Sequence, residues 1–557
     1  MELSPSIRLA MLNIMKEGTT DVDVFTRPFE LEYLKNQEYF DSIKLLVEQK
    51  FKKAFEIIKN GNGSFEALRM MHVQPLRNIL VPKKTLFDFR KCGYIDPLDE
   101  IVYLTLAIMI SNKVEKQRIH KKSKIVFSYR LKPNIEKEME PTYLFDPTMN
   151  YTSFRNNVSQ TAKNNKIKVV VSCDIGNFYD RLNLHRLENT LLSVDGIDKS
   201  AVELLNELLL YWSNRDSYGI PVGSNASRIL AEASLINIDR YLMEKKIIFN
   251  RFVDDFRLFA EDARQAHSWL SILVDRLNQE GLFLNTSKTS IIEASKVIRA
   301  NFNQPSVDVN DEEKKDLPLI IRGYSGLIPT KFRELSDREI NNLKTINIDE
   351  MKEKKIDIDL IDPNDLKKYL RVLVSCEKWD ELAQTCSVLI RFPQFFPYYL
   401  DAIKKHSQQV LPYKEVIIST IIILVEDSNL LEYLRIYVIR FLCTTDFCSK
   451  KIVLDCYFSL KRSEGVYLGR AILEDINELV DRDDLLEIKK DFLRADSAEK
   501  RQILKLLRNC FHETEFRAFY KNISLNEDDP WYKFIADSTK LTNKKNKSTI
   551  IHSKGKP

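Results

Sequence analysis

Two adjacent carboxylates, Asp254 and Asp255, sit between the runs Arg251-Phe252-Val253 and Phe256-Arg257-Leu258-Phe259. Aromatic and β-branched residues favour strands, and Asp-Asp suits the turn between them. The pattern predicts a β-hairpin that lifts two acids out of a sheet. Earlier in the chain, Lys166-Ile167-Lys168-Val169-Val170-Val171-Ser172-Cys173 reads as a strand ending in Asp174. If these strands are neighbours, the carboxylates converge. Hard oxygen ligands of this kind suit Mg²⁺ or Mn²⁺, and the backbone carbonyl of Ile175 is a further candidate ligand. Two such ions about 3.5–4 Å apart activate an attacking hydroxyl and stabilise a leaving pyrophosphate. The chemistry expected is nucleotidyl transfer. Taken alone, the hairpin has a plain alternative, an ordinary turn with solvated acids.

Several elements must hold these acids in place. Residues 1–80 carry apolar positions at helical spacing, as in Phe40 to Val47 and Phe51 to Ile58, broken by Asn60-Gly61-Asn62-Gly63. An extended segment runs from Val81 to Arg90, and Asp96-Pro97-Leu98-Asp99 caps a helix expected to reach about Ser111. From Lys113 to Lys132 there are eight Lys/Arg residues and one acid, Glu115. A strand over Ile125–Leu131 is expected inside that run. Cations interleaved with aromatics suit phosphate contact and base stacking, which makes Lys121, Lys122, Lys124 and Arg130 candidates for binding nucleic acid. A solvated basic face is the alternative. Asn177-Phe178-Tyr179-Asp180-Arg181 follows Asp174, the turn Gly219-Ile220-Pro221-Val222-Gly223 leads into a helix from about Ser227, and another helix spans Ala263 to about Gln279.

At this point the chain resembles reverse transcriptases, in four ordered motifs over about residues 81–292. Asp174-Ile175-Gly176-Asn177-Phe178-Tyr179-Asp180 is similar to their first palm motif, and Gly219 to Gly223 with Ser227-Arg228-Ile229-Leu230 to the second. Phe252-Val253-Asp254-Asp255 resembles the third, with Phe-Val where Tyr-Ala or Tyr-Met is commoner. Leu284-Asn285 with Lys288-Thr289 resembles the fourth. The resemblance implies that Asp174 and Asp254 hold the metals, with Asp255 a supporting acid. It implies that Tyr179 lies beneath the incoming sugar and excludes a 2′-hydroxyl. Gly223 would let the backbone approach nucleotide and template, while Val222 replaces the usual Gln and its polar contact. Lys83 or Lys84, with Arg90, resemble the cations that clamp a triphosphate; surface charge is the alternative. Lys288 would assist pyrophosphate departure, or serve as a structural lysine.

The continuation Ser227 to Glu232, and a long helical region after the polymerase part, are similar to bacterial abortive-infection reverse transcriptases of the AbiK and AbiA types. That likeness implies defence against phage, oligomers, and in some members a protein tyrosine as primer with synthesis lacking an ordinary template. No motif singles out one of the 22 tyrosines. The partners implied are dNTPs and RNA or single-stranded DNA. Two other readings stay open: a scaffold that binds RNA without needing its chemistry, and a retron-like or mobile-element enzyme copying a defined RNA.

The fold expected is an α+β right-hand polymerase followed by an all-α HEAT-like repeat domain. Residues 1–80 form a helical part of the fingers, 81–300 the fingers and palm, and 301–335 a linker or thumb-like connection. Residues 336–539 form the repeat domain and 540–557 a disordered basic tail. At 557 residues the chain exceeds one hydrophobic core. Only 14 glycines argue against glycine-rich nucleotide folds, and a net charge of +5 makes any basic surface local. Eight scattered cysteines without a Cys-x-x-Cys pair, and no signal pattern after Met1, fit a reducing cytoplasm. The seven histidines are isolated, which speaks against a zinc site. The apolar run Val416 to Val425 is too short for a bilayer, so no membrane segment is expected.

Overall fold

The computed structural model describes residues 2–83, 89–133, 140–303 and 330–538, apart from short gaps at 359–360, 428, 445, 461–465, 478 and 525–528. Lys84, most of the expected 301–335 connection and the 540–557 tail lie outside the described residues. The chain divides into two compact units, Met1–Ile328 and Pro329–Pro557.

In the first unit the Pro97–Gln117 helix is the central pillar. Asp96 caps it by accepting from the Leu98 amide, and Pro97 fits the first turn because its missing N–H is not needed there. It runs past the expected stop near Ser111, since Val114 is also buried. The stretch Ile101 to Ile110 is apolar on every side, as a helix surrounded by others requires. Helices Leu3–Glu17, Lys199–Trp212 and Asn225–Ser234 pack around it.

One acid is trapped in that core. Glu100 is 1% exposed, accepts from Ser224 Oγ at 2.7 Å, and burial pushes its carboxyl up to about 8. Below about pH 4.5 the folded and unfolded chains are both protonated there. Between that pH and 8 only the unfolded chain releases the proton, so stability falls as pH rises. Glu100→Gln keeps the shape and removes this loss. It should raise thermal stability at pH 8, by roughly 4–5 kcal/mol at about 1.4 kcal/mol per pH unit, and change little at pH 4.5. Melting curves at both pH values check this; destabilisation at pH 8 would mean that Glu100 is ionised and paired.

Among the described residues six strands form two sheets. β1 (Arg77–Pro82) and β2 (Phe89–Tyr94) make an antiparallel pair. β3 (Val169–Asp174), β4 (Phe249–Phe252), β5 (Asp255–Ala260) and β6 (Ser290–Glu293) form a sheet in the order β4-β5-β3-β6, each neighbouring pair antiparallel. The expected strand over Ile125–Leu131 is absent. That segment pairs only at isolated bridges, Val126 with Arg251 and Leu131 with Phe145. Its residues Val126 to Arg130 are buried, and local backbone twists such as the positive φ of Tyr129 prevent a continuous ladder.

The second unit is helical from Asp337 to Asp537 among the described residues. Helices Phe396–Lys405, Glu432–Thr444, Val466–Asp475, Ser497–Cys510 and Pro530–Asp537 pack in succession, each on the next, with other helices between them in sequence. Gly469 lets Glu499 come close, since a Cβ there would lie 2.9 Å from its Oε2. Glu499 also accepts from the Tyr457 hydroxyl at 2.8 Å. Ser407–Glu426 is long and apolar enough to cross a membrane by length and composition, longer than the run picked out in the sequence. Within the unit its Ile417, Ile421 and Leu424 are buried and it packs on Trp379–Leu389, while Val416 and Ile423 on its other side are exposed. None of the eight cysteines is in a disulfide.

Candidate active site

The hairpin forms, with its turn one residue earlier than Asp-Asp implies. Phe252 pairs with Asp255 across β4 and β5, so the loop is Val253-Asp254 and Asp255 already belongs to β5. Val253 takes φ 56°. Two-residue hairpin loops need a positive φ at their first residue, normally supplied by glycine. A β-branched residue there carries a strain of about 1–3 kcal/mol, which the surroundings must hold.

This shift separates the roles of the two acids. Asp254 stands at the tip. Asp255 lies opposite Asp174 in the β3–β5 register, on the same face of the sheet. Each of those two acids has its own cation. Arg257, two residues on in β5 and therefore on the same face, pairs with Asp255. Lys288 Nζ lies 2.9 Å from Asp174 Oδ2. The fourth motif delivers that lysine by backbone pairing: Gly176 N–H donates to Phe283 O at 2.8 Å and Asn285 N–H to Asp174 O at 2.7 Å. Asp254 stays partly exposed, yet burial and then the Asp174 carboxylate push its carboxyl up to about 7. Its carbonyl accepts from the Ile175 amide at 3.1 Å, which ties the tip of the hairpin to the end of β3. Asp174, Asp254 and Asp255, with Ile175 beside them, thus meet at one end of the sheet.

Among the described residues no group of three or more His, Cys, Asp or Glu side chains makes a metal cage on its own. That donor set fits Mg²⁺ better than it fits zinc. Mg²⁺ is commonly held by one or two carboxylates and completed by substrate phosphates and water.

The remaining candidates divide. Lys83 Nζ donates to Asn177 Oδ1 at 2.9 Å, and Lys83 and Arg90 both act electrostatically on Asp180, so the first sheet's cations reach the first palm motif. Tyr179 is 6% exposed and within electrostatic range of Asp254, Arg228 and Tyr129. Gly223 departs from expectation. With φ 114° it needs glycine, but the atoms crowding it belong to the chain itself: a Cβ would strike Thr20 Oγ1 and lie 3.2 Å from Val22 Cγ2. Arg228, just beyond, is ion-paired with Asp21 of the same N-terminal segment. Arg130 is not a surface cation. It is 1% exposed and bonded to Glu115 and the Ile119 carbonyl, because the chain turns inward after Lys124. Lys121 donates to the Leu131 carbonyl, while Lys122 and Lys124 are exposed.

Two residues near the acids escaped the sequence reading. Arg257 was legible from the two-residue alternation of a strand. Tyr151 was not: it lies far from every motif, yet it is 40% exposed, its ring is 5.3 Å from that of Phe252, and Asp255 and Asp174 both raise its phenol's pKa after burial does.

Residues 112–315 match the family described as reverse transcriptase (RNA-dependent DNA polymerase). No curated protein sequence matches the chain. Among solved structures it is similar to telomerase from Candida albicans in complex with the TWJ fragment of telomeric RNA, at 14% identity over 72% of this chain and 66% of that one, with a TM-score of 0.28. It is also similar to apo telomerase from Candida tropicalis, at 11% identity over 74% of this chain and 68% of that one, with a TM-score of 0.28. The chain therefore spans just under two thirds of the first of these telomerases. The four motifs in order, the acids that meet at the end of β3 and the family match over residues 112–315 agree: this part of the chain is a reverse transcriptase domain, an RNA-directed DNA polymerase module.

Proposed function

We propose that the chain adds deoxynucleotides to a growing DNA end. The observation that carries this is the meeting of Asp174 and Asp254 at the joint of β3 and the hairpin, bounded by Lys288. Asp174 and Asp254, with the Ile175 carbonyl nearby, would hold Mg²⁺ or Mn²⁺. When bound, such ions supply charge stabilisation at the attacking and leaving oxygens. The protein's own part is binding and orientation. Lys83 and Arg90 offer positive charge to a triphosphate, Lys288 balances Asp174, and the packing around Tyr179 limits room at the sugar. A cavity of about 360 Å³ between Phe89, Lys91, Arg181, Tyr218 and Pro221 borders the first and second palm motifs.

The likeness to abortive-infection enzymes extends this proposal to phage defence in the cytoplasm, in an oligomer, with the second unit acting as a HEAT-like array. Its successive helix packing supports that reading. If the first nucleotide is joined to a tyrosine of the chain, Tyr151 is an exposed phenol beside the acids. The test is incubation of the purified chain with labelled dNTPs and Mg²⁺ or Mn²⁺, with and without the RNA that copurifies. Labelled DNA or a protein–DNA adduct is expected. A complete lack of product, with protection from phage intact, would favour a scaffold that binds RNA. Sequencing the product and the copurified RNA separates a defined template from untemplated synthesis.

A further inference from the structure

The strained turn that carries Asp254 is held by a buried polar cluster outside the four motifs' acids. Val253 has two backbone groups to satisfy, and both are held by side chains. Its N–H donates to Ser128 Oγ at 2.9 Å, and its carbonyl accepts from Arg251 Nη1 at 2.9 Å. Ser128 Oγ donates in turn to Glu232 Oε1 at 2.5 Å. Arg251, 0% exposed, forks onto Asp239 through Nε at 2.8 Å and Nη2 at 2.5 Å, and onto Glu232 at 3.0 and 3.2 Å. Arg118 closes the cluster, donating to Glu232 Oε2 at 2.6 Å and to the Ser128 carbonyl at 2.7 Å. Main-chain bonds lock the same place, from the Arg251 amide to Ile125 O at 2.9 Å and from the Phe127 amide to Arg251 O at 3.0 Å.

We infer that Ser128, Arg251 and Glu232 are positioning residues for the reaction: they fix the Val253 peptide and so aim the Asp254 carboxylate at Asp174. This rests on the proposed polymerase reading. Three features set the cluster apart from ordinary core filling. A buried charge group tied by this many hydrogen bonds is rigid, and geometry at a reacting centre tolerates little error. The bonds converge on the one residue of the hairpin with a positive φ. Four elements contribute: the segment after the Pro97–Gln117 helix, the helices Asn225–Ser234 and Ile236–Glu244, and β4. The inward path of residues 125–131, which removed Arg130 from the surface, is what brings Ser128 to the turn.

Ser128→Ala is the sharpest test, because it deletes one acceptor and leaves the Arg251, Glu232 and Asp239 ion pairs intact. The full-length variant should melt within a few degrees of the wild type. Its kcat for dNTP incorporation should fall roughly 10- to 100-fold with KM for dNTP within about threefold. The Val253 amide should exchange with deuterium at least tenfold faster, with β3 unchanged. Arg251→Lys should show a larger kcat loss, since a lysine cannot bridge two carboxylates and a carbonyl in one plane. An unchanged kcat with an unchanged Val253 exchange rate in Ser128→Ala would overturn the inference, as would global unfolding of that variant. If the wild type incorporates nothing while the exchange change is seen, the positioning stands and the polymerase reading falls.

Discussion

Asp254→Asn is expected to lower dNTP incorporation by at least about a thousandfold while leaving the fold intact. The amide has the carboxylate's shape and lacks its charge. Charge stabilisation by a bound cation is worth several kcal/mol, which in rate is roughly a thousandfold or more. The same acid is costly to the folded chain, because burial and Asp174 hold its carboxyl near 7 instead of the ordinary 3.8. The sign follows from linkage: as pH rises above about 4 the unfolded chain releases this proton first, and stability is lost up to about pH 7. The variant should therefore melt at the same temperature as the wild type or above it at neutral pH. Asp255→Asn should cost less activity, since Arg257 already holds that carboxylate along the strand. Single-turnover incorporation and thermal melts on the same samples check both statements. A rate within tenfold of wild type for Asp254→Asn would defeat the assignment.

Gly223→Ala is the second large effect, and its main symptom should be lost stability. At φ 114° the residue occupies a region that L side chains rarely adopt, and the new Cβ would collide with Thr20. Backbone strain and overpacking together come to about 2–5 kcal/mol. In a unit of this size that lowers the melting temperature by roughly 5–15 °C. Thr20→Ala should recover part of the loss, because it removes the Oγ1 that the Cβ meets first and leaves the backbone strain. Full tolerance of Gly223→Ala would mean that the N-terminal segment does not pack there in solution. Reduced activity with no change in melting would return Gly223 to the role its motif first implied, close approach of a nucleotide or template.

The outcome at Gly223 shows where reading the chain residue by residue reached its limit. The need for glycine was legible from the Gly-Ile-Pro-Val-Gly turn, but the atoms that impose it come from Thr20 and Val22, some two hundred residues away. Arg130 failed for a similar reason. A run of cations with aromatics looks alike whether it faces water or turns inward, and only the Glu115 ion pair reveals which it does. The Asp-Asp tip was off by one residue because local preference favours Asp over Val in a turn. The cluster of Ser128, Glu232 and Arg251 outweighs that preference.

The sequence by itself determined the chemistry. Acid types at strand ends, the order of four short motifs and the apolar periodicity around them select nucleotidyl transfer, because that reaction requires converging hard oxygen ligands. It also determined the helical character of the second unit, which follows from spacing alone. Only the tertiary structure decided how each acid is placed and what holds it. It sets Asp174 beside Lys288, Asp255 beside Arg257 and Asp254 on a strained turn held by Ser128 and Arg251. The physical reason is that strand pairing and burial, which set register, charge and pKa, are made between residues that the linear chain holds far apart.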